Sequence, residues 1–198
     1  MTKLRSALMA ISIASGVLLP AISSPVAAAV DTSDPQRFVQ TLTTDGFAAM
    51  RSGSREAAKA KFRTLLAQNV AVDQIGDTLI RSWVPKITPA QHEAYKSALP
   101  GYVVGTYADR LFEYSEAKVE VERTIPTVRG ADVFTKVTKP GAQPIATVWS
   151  LTKVGPAWKV LNLRVAGINV AMAQAADFNA VIQRQGFDAL LRMMNARK

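Results

Sequence analysis

The sequence predicts an α+β fold: a four-stranded, or slightly larger, antiparallel meander sheet covered on one face by helices from both ends of the chain. Three observations lead there. Apolar residues recur at helical spacing from Phe38 to Leu111, the period drops to two between Ala117 and Ala166, and a helical pattern returns after Gly167. The strands are joined by "IPTVRG", "KPGAQP" and "VGPA", which are long enough for hairpins and too short for crossover helices, so neighbouring strands run antiparallel.

The first thirty residues, "MTKLRSALMAISIASGVLLPAISSPVAAAV", combine Lys3 and Arg5, an apolar run from Ala7 to Leu19, and the small residues Ala27, Ala28 and Ala29. That is the pattern of a secretory signal peptide, with cleavage expected after Ala29. Ser12, Ser15 and Gly16 interrupt the run and Pro20 ends it, which leaves it short of the roughly 20 apolar residues of a bilayer span. Residues 30–198 are then expected to form one domain. The whole chain carries 24 Lys and Arg against 15 Asp and Glu, a net charge of +9, which falls by two to +7 with Lys3 and Arg5. In an exported chain this charge points to anionic membrane surfaces, met by peripheral contact only, rather than to nucleic acid. The compartment implied is the bacterial periplasm. With no cysteine there is no disulfide, thiolate metal site or cysteine nucleophile, so stability rests on packing.

Along the domain, Asp31 to Pro35 forms a lead-in, and Phe38, Leu42 and Phe47 mark a first helix that "RSGSR" ends at 51–55. A second helix runs from Arg55 to about Gln68, burying Phe62, Leu65 and Leu66 and turning Arg55, Lys59 and Lys61 to solvent. Ile75, Leu79, Ile80 and Trp83 form the stripe of a third helix, stopped by Pro85. Thr88, Pro89 and Gln91 make a capping box with proline at the first helical position, so a fourth helix starts at Pro89. Pro100 and Gly101 predict a kink or break in it, beyond which Tyr102, Val103, Tyr107 and Leu111 continue the apolar face. Val119 and Val121 then alternate with Glu120 and Glu122, followed by strands at 132–138, 145–153 and 158–166. In the last strand Leu161, Leu163 and Val165 share one face, and Asn162 and Arg164 the other. Gly167 ends this strand, and a helix from about Ala171 carries Met172, Ala176, Phe178, Val181 and Ile182 to a C-terminal Gly186, before a short amphipathic "FDALLRMM".

Catalytic chemistry has little to stand on. The only histidine, His92, falls on the polar side of the fourth helix beside Glu93, and no nucleophile elbow, metalloprotease motif, phosphate loop or calcium loop is present. Glu113, Tyr114 and Glu116 are the remaining acid–base candidates, and nothing in the sequence gathers them into a pocket. No cofactor, metal or catalytic residue is expected.

The order of motifs does match a known family. Phe62 and Leu66 before "VAVDQIGDTLIRSW", then "TPAQHEAY", "YVVGTYADRL", "VWSL", "WKVLNL" leading into "AGINV", and "DFNAVIQRQGFDALL" together resemble the MlaC family, the periplasmic phospholipid shuttles also known as toluene-tolerance auxiliary proteins of ABC transporters. The resemblance spans nearly the whole domain. Departures gather around the strand-to-helix turn: Ala166 and Asn169 replace an acidic residue and a common serine, Asn162 stands where aspartate is usual, and Gln174 and Ala175 occupy a segment that often holds a basic residue. "VVGTYADRL" is also similar to the branch encoded with hopanoid genes.

The resemblance implies an NTF2-like, cone-shaped domain whose helices and sheet do not close on each other, leaving an apolar cavity for acyl chains. Leu161, Leu163 and Val165, with Ile168 and Val170, would line one wall, and Val148 would join them from the neighbouring strand. Ile75, Leu79 and Trp83, then Leu99, Val103, Tyr107 and Leu111, then Phe178 and Ile182, would line the helical side. It also implies a phospholipid ligand, with a hopanoid or other polycyclic lipid as the alternative. The implied partners are an inner-membrane ABC transporter complex, where ATP hydrolysis resides, and an outer-membrane lipoprotein complex. The residues themselves show only an aliphatic sheet face opposed by helices rich in Ala and Gly, which a dry packed core satisfies as well. A small NTF2-like enzyme and a cell-envelope adaptor with a filled core stay open on the sequence alone.

Overall fold

The computed structural model describes residues 30–51 and 53–197. The expected signal peptide lies outside the described residues. The chain runs α1 (Pro35–Arg51), α2 (Arg55–Asn69), α3 (Val72–Leu79), a 3-10 turn (Val84–Lys86) and α4 (Pro89–Phe112). The strands β1 (Lys118–Thr127), β2 (Gly130–Thr138), β3 (Ile145–Val154), β4 (Ala157–Val165) and β5 (Ile168–Asn169) follow, and α5 (Val170–Gln185) and α6 (Phe187–Asn195) close the chain.

The five strands pair in chain order, each antiparallel to the last. The fifth strand is a two-residue addition made by the Ala166–Gly167 turn, whose φ values of 49° and 82° bring Ile168 back against Val165. β4 thus has two partial neighbours on its outer side: β5 at its end, and near its start Val70, which forms a parallel bridge with Val160 while the Ala71 amide donates to Val160 O at 2.9 Å. β1 is the opposite edge, and its pairing slips between Val121 and Arg123.

Local chemistry sets the helix starts. Ser54 accepts from the Ala57 amide, and Thr88 and Gln91 satisfy each other's backbone in a full capping box with Pro89 behind them. Asn169 caps α5 by accepting from the Met172 amide at 3.0 Å, so α5 begins at Val170, a residue ahead of the expected start.

Three expectations are corrected. α4 does not break at Pro100: it is one helix of 24 residues. Proline removes one helical donor, a cost of about 3 kcal/mol, but Ala98, Leu99 and Tyr102 on either side are buried to 3% exposure or less, and their packing carries the helix past it. The third helix stops at Leu79 rather than running to Pro85, because Ile80 is fully buried and the Trp83 and Lys86 amides bond three residues back, to Ile80 and Trp83. On α2, Phe62, Leu65 and Leu66 are only half-buried; the helix meets α1 and α4 through the small Ala58 instead. Its basic face stays largely exposed at Arg55, which reaches Asp109 of α4 at 3.0 Å, while Lys59 lies 3.9 Å from the same carboxylate.

Candidate functional site

Most of the larger buried apolar residues fall into two groups with no member in common, with Met50 and Val104 in neither. One is helical: Leu79 and Ile80, then Tyr95, Leu99 and Tyr102 of α4, Phe178 and Ile182 of α5, and Leu190 and Met194 of α6. Tyr95 and Phe178 pack edge to face, centred 6.2 Å apart at 85°. The other joins Phe38 and Val39 of α1 to Val133, Leu151 and Val160 on the inner face of the sheet. A fully closed interior would connect the two.

Strand β4 lies where they fail to merge. Leu161, Leu163 and Val165 are half-buried and belong to neither group, and the same is true of Tyr107 and Leu111 on α4 and of Val170 at the start of α5. Leu163 pairs with Trp149 and Val165 with Thr147, residues that share the inner face with Val133 and Thr135. Leu161 is the extra residue of a bulge, since Val160 pairs with Leu151 and Asn162 with Ser150. The inner stripe is therefore Val160, Leu163 and Val165, and the simple alternation expected for this strand holds only beyond the bulge.

Polar ties brace the helices beside this seam. The Tyr107 hydroxyl donates to Gln174 Oε1 at 3.0 Å, and Gln174 Nε2 donates to the Tyr102 hydroxyl at 3.1 Å. Burial, assisted by the neighbouring Tyr102, pushes the Tyr107 phenol above its ordinary range and keeps it a donor. The Trp83 indole donates to Asn179 Oδ1 at 2.8 Å and ties the α3–α4 connection to α5. Tyr95 donates to Gly76 O at 3.0 Å where α3 approaches α4, so close that a Cβ on Gly76 would lie 2.8 Å from Leu99 Cδ2.

The other expected lining residues are spread over different surroundings. Leu79, Leu99, Phe178 and Ile182 sit inside the helical group, with Ile75, Trp83 and Val103 packed at its rim. Two placements correct the expectation. Val148 pairs with Phe134 and Arg164, on the sheet face opposite Leu163, and Ile168 is 64% exposed at the turn. The sequence reading missed Trp149, whose indole donates to Thr135 Oγ1 at 3.2 Å, and Gln174, which is 8% exposed. Trp149 was detectable from its alternation with Val148; Gln174 gave no signal, because its burial depends on two tyrosines some 70 residues earlier.

Two open grooves flank the end of α3. One, of about 350 Å³, is lined by Asp77, Thr78, Arg81, Val84, Pro85 and His92; the other, of about 420 Å³, lies between Leu79 and Ala175, Ala176 and Asn179. His92 Nε2 lies 3.0 Å from Asp77 Oδ1, and the nearby Thr78 hydroxyl donates to Gln74 O at 2.8 Å rather than to this pair. Among the described residues no group of three metal-ligating side chains converges, and no helix is long and apolar enough to cross a membrane.

A family model described as "MlaC protein" matches residues 38–196. The chain belongs to the MlaC family. It is 24% identical over 162 residues to the toluene tolerance protein ttg2D of Pseudomonas putida, covering 78% of this chain and 75% of that one. Its fold matches a phospholipid-binding protein from Ralstonia solanacearum, solved in complex with a phospholipid, with a TM-score of 0.68 and 22% identity over 83% of this chain and 96% of that one. Within this MlaC protein, three polar side chains act around the first turns of α5. Asn169 caps α5, Asn162 Oδ1 accepts from the Ala171 amide at 3.4 Å, and Gln174 braces α5 to α4.

Proposed function

We propose that this MlaC protein is a periplasmic phospholipid carrier that holds acyl chains in the seam between its helical group and its sheet. The observation that carries this reading is the aliphatic stripe of Leu163 and Val165, half-buried on the inner face of the sheet and packed in neither group, as Tyr107, Leu111 and Val170 also are. Each lipid methylene removed from water contributes about 0.8 kcal/mol. A carrier therefore needs apolar surface that its own core leaves unfilled, and a protein meant only to be stable would close it. The phospholipid bound by the Ralstonia solanacearum relative supports the same cargo class.

The reading is of a binding protein, with a signal peptide in residues 1–29 removed on export and residues 30–198 as its single lipid-binding domain. Acyl chains would enter between β4 and the α4–α5 pair, and the head group would stay near the Ala166–Gly167 turn, where Ile168 and Met172 are exposed. Release would need a partner that separates α5 from β4, and the partners we propose are an inner-membrane ABC transporter complex and an outer-membrane lipoprotein complex. Native mass spectrometry of the exported protein, followed by solvent extraction, tests the reading. A co-purifying phospholipid is the expected result; a polycyclic triterpenoid would replace the cargo and keep the carrier, and a lipid-free protein that takes up neither would overturn it.

A further inference from the structure

Both hairpin turns at one end of the sheet are apolar and basic at once. Of the six large apolar side chains most exposed among the described residues, three lie here: Val128 at 106%, Ile125 at 44% and Val154 at 39%. The two turns are neighbours, because Gly130, which follows the β1–β2 turn, pairs with Thr152 just before the β3–β4 turn. Arg123, Arg129, Lys153 and Lys159 surround them, and the sequence holds no carboxylate from Arg123 to Ala131 or from Leu151 to Leu161.

Two of the cations lie over aromatic rings, one on each face of the sheet. Arg123 lies over the Phe134 ring at 4.2 Å and Lys153 over Trp158 at 5.0 Å, contacts that leave their charge without a carboxylate partner. Ile125 and Val154 share the outer sheet face with Arg123 and Lys159. The start of α1 reaches this end too, since Phe38 packs on Val133, Leu151 and Val160. Its two carboxylates are already engaged: Asp34 accepts from the Gln36 and Arg37 amides, and Asp31 is bonded to Ser33 and paired with Arg37 at 3.7 Å.

We propose that this end of the sheet is a membrane-contact surface, in which Val128, Ile125 and Val154 enter the head-group layer of an anionic bilayer while the four cations meet lipid phosphates. The pattern is that of interfacial segments generally: apolar tips that bury a few ångströms deep, ringed by Lys and Arg that find anionic heads. A protein partner is the less fitting occupant, because the tips are convex and separated by turns rather than joined in a groove. The surface lies away from the β4–α5 seam and does not depend on what the seam holds.

The test is vesicle flotation of the exported protein. It should float with vesicles of phosphatidylglycerol and phosphatidylethanolamine and stay behind with pure phosphatidylcholine; failure to float with either overturns the proposal. Arg129→Glu and Lys153→Glu should each lower the partition coefficient by about fivefold or more. Arg63→Glu, on α2, makes the same change in net charge and should leave binding within twofold; an equal loss would show that net charge, not this surface, drives it. Because the chain has no cysteine, Val128→Cys gives a single site for an environment-sensitive dye. Its emission should shift to the blue on anionic vesicles while the same dye at Ala67→Cys does not, and a dye at position 128 that stays in water on floated protein overturns the proposed orientation.

Discussion

The Gln174 side chain is clamped between two phenols, accepting from Tyr107 at 3.0 Å and donating to Tyr102 at 3.1 Å. One amide thereby fixes the spacing of α4 and α5 beside the seam. Gln174→Leu leaves the 3%-exposed Tyr102 hydroxyl without that partner, and a buried orphan of this kind costs about 1–3 kcal/mol. Tyr107→Phe removes one bond at a half-buried site and should cost less, about 0.5–1.5 kcal/mol. Urea unfolding of both variants checks the order.

The same phenol predicts an alkaline limit. Burial raises the folded-state pKa of Tyr107, and of Tyr95 as well. A raised acid pKa stabilises the fold fully below the unfolded value of about 10 and progressively less as pH climbs toward the folded value. Unfolding midpoints should therefore fall above pH 10, and more gently for Tyr107→Phe. Equal slopes for the two proteins would rule out this linkage.

At the seam, Leu163→Trp discriminates between open space and packed core. If acyl chains occupy the site, the indole displaces lipid and extractable phospholipid drops while the melting temperature holds. If the site were packed, overfilling would cost about 1–3 kcal/mol with no lipid to lose. Melting temperature and extracted lipid should be measured on one sample.

Two glycines should respond in opposite directions. A Cβ at Gly46, within α1, meets nothing inside 4 Å, so Gly46→Ala should stabilise by about 0.5–1 kcal/mol. At Gly76 the same Cβ meets Leu99 Cδ2 at 2.8 Å. The helix-propensity gain there is about 1 kcal/mol against an overpacking cost of about 1–3 kcal/mol, so Gly76→Ala should be neutral to destabilising by about 2 kcal/mol. Thermal unfolding of the pair provides the check.

What could be read from the sequence was whatever depends on near neighbours. Thr88, Pro89 and Gln91 announce their helix because all three act within one turn, and the period-two strands announce a meander because their linkers are short. Pro100 misleads for the converse reason: its local cost is real, but Leu99 and Tyr102 pack against α5 and α6, which a local pattern does not contain. The bulge at Leu161 is equally hidden, since Val160, Leu161, Asn162 and Leu163 fit more than one pairing until β3 supplies the register. Of the candidate site, Leu163 and Val165 were correctly placed together on the inner face. The division of most of the core into two groups was not legible, because it follows from which distant elements pack together.

The two sheet edges bear on how such a protein survives at high concentration. On β4, β5 and the Val70 bridge each claim part of the outer ladder; on β1, the slip after Val121 and the charges of Lys118, Glu120, Glu122 and Arg123 interrupt the other. Neither edge offers a long run of free donors and acceptors to a second chain. A sheet with one greasy face could otherwise polymerise through its borders whenever that face was bared. Here each border is interrupted by features outside the interior, the slip and charges on β1 and the partial cover of β4, so neither depends on what the interior holds.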